Sequence, residues 1–256
     1  MLASAVQVGG PPLWAAGRLE VGLVRSNQED AYAVGGRLLV VADGMGGQAG
    51  GEVASAAAVA RVTSALARTT RDPVAQLRRA VGSASTAVSR AGAAAGAPDA
   101  ATTLVLGWLP EGADRVLVAH VGDSRAGLLR DGTLTWLTRD HNLAELLHAR
   151  GELTEDEALH HPGQHQVLRW LGGGQPGAPR PDLTRLPRGV SGRLLLCSDG
   201  LCGYLPRAQI AALLAGGAPA DAADRLQEGV RAVGAPDNTA VIVADLGVAA
   251  TGDPPR

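Results

Sequence analysis

Aspartates stand where apolar runs stop. Asp43 closes the run VVAD at 40–43, Asp199 follows LLLCS at 194–198, Asp123 follows AHVG at 119–122, and Asp237 sits just before TAVIV at 239–243. A further acidic pair, Glu29-Asp30, precedes Ala31-Tyr32. Short apolar runs between Gly and Asp punctuation read as strands, so these carboxylates fall at strand ends and turns. A carboxylate is costly to bury unless it is paired or binds a cation. Several that converge repel one another, and a divalent cation removes that repulsion. The candidate ligands are all oxygen donors, with no His or Cys at matching spacing, which suits Mg²⁺, Mn²⁺ or Ca²⁺ better than Zn²⁺. Gly44 and Gly200 follow two of the aspartates. Glycine there lets the backbone approach closely or turn sharply, and at Gly44 it can bring a carbonyl oxygen to a metal. Asp131-Gly132 and Asp253, by contrast, read as ordinary turn punctuation. Arg25, five residues before Asp30, is either a surface arginine or a guanidinium that holds a phosphoryl group through two parallel hydrogen bonds.

Composition removes other chemistries. Among 256 residues every basic side chain is Arg, so a Walker-type phosphate loop, a kinase nucleotide site and Schiff-base catalysis are excluded, since each needs a Lys. A net charge of −2 without a basic stripe argues against nucleic acid. Cys197 and Cys202 are too few and too close together for a zinc site or a disulfide framework, and read as reduced thiols. The N-terminus has no basic region or long apolar core, and no stretch approaches the roughly 18 uninterrupted apolar residues of a membrane span. Without Phe, the core must be filled by Leu, Val and Ala.

Strands are expected at 17–24, 37–42, 102–109, 115–120, 125–130, 134–137, 193–197 and 240–245, with Asp131-Gly132 turning a hairpin. Helices are expected at 52–68, from Pro73 to about Ala91 with Asp72 as N-cap, at 143–150, 154–160, 207–214 and 220–233. Gly172–Gly174 and Pro176, Pro179 and Pro181 mark an irregular loop. Strands and helices come in blocks, which predicts α+β layers with a largely antiparallel sheet.

The ordered blocks RSNQEDAY at 25–32, VVADGMGGQAGGEVAS at 40–55, ATTLVL at 101–106, VAHVGDSRAGLLRDGTL at 118–134, the segment 137–173, LLLCSDGL at 194–201 and DNTAVIV at 237–243 resemble the metal-dependent protein phosphatases of type 2C, also called PPM, in their bacterial form. The resemblance runs from about Arg18 to Leu246. It implies two stacked antiparallel sheets flanked by helices, four layers α-β-β-α. Residues 17–247 would form one phosphatase domain with a flap at about 141–170, between an N-terminal extension at 1–16 and a tail at 248–256. It further implies that Asp43 bridges two Mn²⁺ or Mg²⁺ ions and that the Gly44 carbonyl, Asp199 and Asp237 complete the first. Glu29 and Asp30 would serve the second ion, Asp123 with Asp199 would hold a third, and Arg25 would bind phosphate. A metal-bridging water would then attack phosphoserine or phosphothreonine in line. The implied setting is bacterial signalling: a cytoplasmic monomer acting on a phosphoprotein, such as a Ser/Thr kinase or its targets.

Two positions depart from the family pattern. Some relatives have a His, proposed as the acid, where Met45 stands, and the Thr of the last block usually lies one place after Thr239, which puts its local packing in question. His160, His161 and His165 read as flap residues and not as ligands. A pseudophosphatase that only binds phosphoprotein should have lost metal carboxylates, and all are present here. A Cys-dependent tyrosine phosphatase needs Arg six residues after Cys, where this chain has Gly203 and Ala208. A metal phosphohydrolase of small phosphoesters stays open.

Overall fold

The apolar runs are antiparallel strands that are buried on both faces, which is why they look continuous and not alternating. The computed structural model describes residues 13–46, 50–175 and 179–247. The tail at 248–256, Pro176 and the extension up to residue 12 lie outside them.

One sheet has the order β1-β12-β11-β7-β8 and is built from Trp14–Glu20, Thr239–Leu246, Gly192–Cys197, Arg125–Arg130 and Thr133–Trp136. The other has the order β10-β6-β5-β3-β4-β9, with β2 also paired to β3. Its strands are Asp182–Arg185, Leu117–Val121, Leu104–Trp108, Leu38–Met45, Ala101–Thr102 and Leu171–Gly172, with β2 at Asp30–Val34. Every pairing is antiparallel.

The two-residue period of a strand sorts side chains into three apolar layers. Val40 and Ala42 of β3 pack with Ala54, Ala58 and Val62 of α1 (Gly50–Leu66) and Leu77, Val81 and Val88 of α2 (Pro73–Ala94). Leu39 and Val41 point the other way, into a layer shared with Leu194 and Leu196 of β11 and Ala240, Ile242 and Ala244 of β12. The opposite faces of β11 and β12, through Leu195, Cys197, Val241 and Val243, pack on α6 (Arg207–Leu214) and α7 (Pro219–Ala232). The result is helix, sheet, sheet, helix. Among the described residues, no helix is long and apolar enough to cross a membrane.

Local signals hold where the chemistry is local. Asp72 caps α2, its Oδ1 accepting from the Ala75 amide at 2.9 Å, with Pro73 opening the helix. Asp131 and Gly132 both have positive φ, 48° and 76°, as a tight hairpin between β7 and β8 requires. Thr154 and Glu157 form a reciprocal capping box on α4 (Glu155–His160), beyond α3 (Leu143–Ala149) in the flap.

The boundaries are corrected elsewhere. The first strand runs Trp14–Glu20 and not 17–24, so Trp14–Ala16 of the stretch read as an extension belong to the sheet. The strand at 37–42 continues to Met45, and the one at 102–109 splits at Thr103. The helix expected from Glu52 starts at Gly50. β2, β9, β10 and the single-turn helix α5 (Asp199–Cys202) were not expected. β2 carries Glu29-Asp30 at its mouth, and acidic residues mask a short strand; β9 is only two residues long and lies in the Gly-rich stretch read as loop.

Candidate active site

The register between β2 and β3 sets Asp30 directly opposite Asp43, and directly opposed residues of an antiparallel pair share a face. Asp123 lies in the turn leaving β6, Asp199 opens α5 at the end of β11, and Asp237 stands in the loop entering β12. Asp30, Asp43 and Asp199 lie close enough together for their carboxyl groups to act on one another's charge. Asp30 and Asp123 are buried, while Asp43 and Asp199 keep a partial window to solvent.

This crowding has an electrostatic signature. Burial, followed by the charges of neighbouring aspartates, pushes Asp30 up to about 7 from 3.8. The same causes hold Asp43 and Asp123 well above the ordinary carboxylate range and raise Asp199. Asp30 Oδ2 accepts from Ser198 Oγ at 2.7 Å, but its buried Oδ1 has no hydrogen-bond partner. A buried carboxyl oxygen without a partner, set among carboxyl groups that raise one another's pKa, fits a hard cation.

The surrounding residues fix these aspartates. The Asp43 amide donates to Thr103 Oγ1, and its carbonyl accepts from the Thr103 amide and the Thr102 hydroxyl at 2.8 Å. Thr103 Oγ1 in turn lies 2.7 Å from Ser124 Oγ, beside Asp123. Ser198 Oγ also accepts the Ala240 amide, tying Asp30 to β12. Asn238 accepts the Glu29 amide at 2.7 Å and donates to the Val21 and Asn27 carbonyls. Thr239, the shifted threonine, is buried at the start of β12. Arg125 grips Asp140 through two bonds of 2.8 and 2.6 Å behind Asp123 and lies 5.4 Å over the Trp136 ring. Ser198, Thr103, Asn238 and Asp140 were not singled out from sequence; the first and third adjoin flagged aspartates, which was the only available signal.

Glu29 and Gly44 meet at the helix α1 entrance. A Cβ at Gly44 would fall 2.1 Å from the Gly51 carbonyl oxygen and 2.5 Å from that of Glu29. A Cβ at Gly51 would fall 2.7 Å from Glu29 Cδ. Close approach, and not turning, is therefore what demands glycine at 44. The Glu29 side chain accepts from Asn27 at 3.1 Å. Arg25 is half-exposed and donates to Asp237 Oδ2 at 2.8 Å, so its guanidinium reaches the cluster's rim.

A second polar cluster sits under the flap. The His120 and His141 rings stack at 4.4 Å, with Asp182 3.2 Å from His141 Nε2. His141 Nδ1 accepts the Gly122 amide at 3.0 Å, while Arg169 Nη1 lies 2.8 Å from Nε2 and Nη2 pairs with Asp182 at 3.0 Å. Burial lowers the pKa of His141 to about 4. A protein cation already fills the place a metal would take there. Of the flap histidines, His161 caps a single 3-10 turn (Pro162–His165) by accepting the Gly163 amide.

The family model described as Protein phosphatase 2C matches residues 24–235. This chain belongs to that family. It is 38% identical over 236 residues to the serine/threonine protein phosphatase PstP of Mycobacterium tuberculosis, covering 90% of this chain and 44% of the relative. It is 34% identical to the serine/threonine phosphatase Stp of Listeria monocytogenes over 77% of this chain and 81% of that one. The chain thus spans less than half the length of the mycobacterial relatives it matches. The crystal structure of the M. tuberculosis phosphatase superposes with a TM-score of 0.83 at 37% identity, covering 92% of this chain and 99% of that one. The PstP catalytic domain in complex with two manganese ions gives 0.80 at 34% identity, covering 91% and 98%. The four-layer phosphatase 2C architecture expected from the sequence is the one present.

Proposed function

We propose that this chain hydrolyses phosphoserine and phosphothreonine in proteins with the help of two divalent cations, Mn²⁺ or Mg²⁺. The observation that carries the reading is the convergence of Asp30, Asp43, Asp199 and Asp237 from four separate segments around an unpartnered carboxylate oxygen. Membership of the phosphatase 2C family and likeness to a relative that holds two manganese ions support it.

In this reading Asp43 would serve both ions, the Gly44 carbonyl, Asp199 and Asp237 would hold one, Glu29 and Asp30 would hold the other, and Asp123 with Asp199 would hold a third. Bound there, the cations supply Lewis acidity and activate water as a nucleophile at neutral pH. The chain's own residues do the rest. Ser198 holds Asp30 by one oxygen and leaves the other, buried, without a partner. Thr102 and Thr103 clamp the Asp43 backbone and so fix where its side chain starts. Arg25 trades its bond to Asp237 for the phosphoryl oxygens and offsets their charge. Met45, beside Asp43 and Gly44 on β3, has no proton to give and so does not protonate the leaving alkoxide. The two free thiols support a reducing, cytoplasmic setting; a monomer acting on a kinase or its targets is the accompanying reading.

The test is phosphate release from a phosphothreonine peptide in Mn²⁺, in EDTA and with Asp43→Asn. We expect release only in wild type with metal, and a loss of at least about 10³-fold in the variant with unchanged circular dichroism. Turnover that survives both EDTA and Asp43→Asn would end this reading.

A further inference from the structure

Exposed large apolar side chains are ordinary when scattered, but a cluster beside a site is informative. Among the described residues they are Trp14, Leu23, Val24, Leu146, Leu168, Tyr204 and Val233. Leu23 and Val24 are the most exposed, at 73% and 72%, and immediately precede Arg25. The Leu23 amide donates to the Ala235 carbonyl at 2.8 Å, which brings the Val233–Ala235 turn against the same loop. Tyr204 follows α5, near enough to Arg25 and Asp237 to feel both charges. Four of the seven therefore lie on segments next to Arg25, which reaches Asp237.

Solvation alone does not favour two adjacent aliphatic side chains this exposed, and neither packs into one of the three apolar layers. Their position decides what they can meet. A phosphoryl group on Arg25 places its own polypeptide across the loop 21–25. Extended chain advances about 3.3–3.6 Å per residue, so residues one or two places from the phosphorylated one come over Leu23 and Val24.

We propose that Leu23 and Val24, with Val233 and Tyr204 opposite, form an apolar subsite for the residues flanking the phosphoserine or phosphothreonine. The subsite selects phosphoprotein segments with aliphatic neighbours over polar ones. This rests on the phosphatase reading above and adds its substrate class.

The experiment compares wild type and Leu23→Ser/Val24→Ser in Mn²⁺ on three substrates. These are p-nitrophenyl phosphate, a phosphothreonine peptide flanked by Leu and Val, and one of equal net charge flanked by Ser and Gln. Both substituted side chains are solvent-exposed, so the fold should tolerate the change. We expect p-nitrophenyl phosphate turnover to be unchanged. Wild type should favour the aliphatic peptide by about tenfold in kcat/KM, equivalent to about 1.4 kcal/mol, mainly through KM, and the variant should lose most of that preference. Equal turnover of the two peptides by wild type, or a preference untouched in the variant, overturns the subsite while leaving the phosphatase reading intact. No turnover of any of the three substrates by wild type overturns the phosphatase reading, and the subsite with it.

Discussion

Replacing Asp30 by Asn should make the metal-free protein more stable. Asp30 is raised to about 7 in the folded chain from an ordinary 3.8, chiefly by burial and then by Asp199 and Asp237. A carboxyl group whose folded pKa is raised binds its proton more tightly when folded. It therefore costs stability above that pKa, and the cost disappears as pH falls through the window from about 7 to 3.8. About 3 units at about 1.4 kcal/mol each gives about 4 kcal/mol at pH 8. The neighbouring carboxyls share their protons with Asp30, so removing one charge should recover about 2–4 kcal/mol. Asparagine is nearly isosteric and its Oδ1 can still accept from Ser198. In EDTA at pH 8, thermal unfolding should then shift upward by roughly 5–15 °C for Asp30→Asn, and the gap should close toward pH 4. Millimolar Mn²⁺ should narrow or reverse it, because a ligand stabilises the state that binds it. If Asp30→Asn is less stable than wild type in EDTA at pH 8, or if the difference ignores pH, the crowding argument fails.

Other outcomes follow from single contacts. Arg25→Ala should lower kcat/KM for p-nitrophenyl phosphate by about 10², the cost of losing a donor to a transferring oxyanion; a change under about threefold would remove Arg25 from phosphate binding. Met45→His introduces a titrating group beside Asp43 and should alter the acid limb of the pH–rate profile, and an unaltered profile argues that no proton is needed from that position. Asp72→Ala removes the α2 cap and should cost about 1 kcal/mol in urea unfolding with activity retained. An unchanged midpoint would show that the cap bond adds nothing.

The acidic positions were legible because strand ends carry a local signature: Asp43 and Asp199 each follow buried apolar residues and precede a glycine that nothing larger could replace. A Cβ at Gly200 would fall 1.9 Å from the Asn238 carbonyl oxygen. The sandwich was legible for the same reason, since runs such as Leu194–Cys197 are apolar on both faces. What sequence could not show was partnership across long separations. Ser198 meets Asp30 over 168 residues, and Asn238 meets Glu29 over 209. No propensity or spacing encodes those pairings. β2 escaped notice because its first residue is an ionisable group serving the site and not a strand former, and β10 because it is four residues long, begins with Asp182 and ends with Arg185.

The carboxylate cluster straddles a seam. Asp30 and Asp43 ride on one sheet, Asp199 and Asp237 on the other, and the aliphatic layer that includes Leu39, Val41, Leu194, Leu196 and Ile242 packs the two together, with Ser198 and Asn238 bonding across the seam. The spacing of the acidic groups is therefore a gauge of how the sheets sit on each other. A side chain trimmed deep in that layer, far from any phosphate, should be felt at the reacting centre as a small sideways slip.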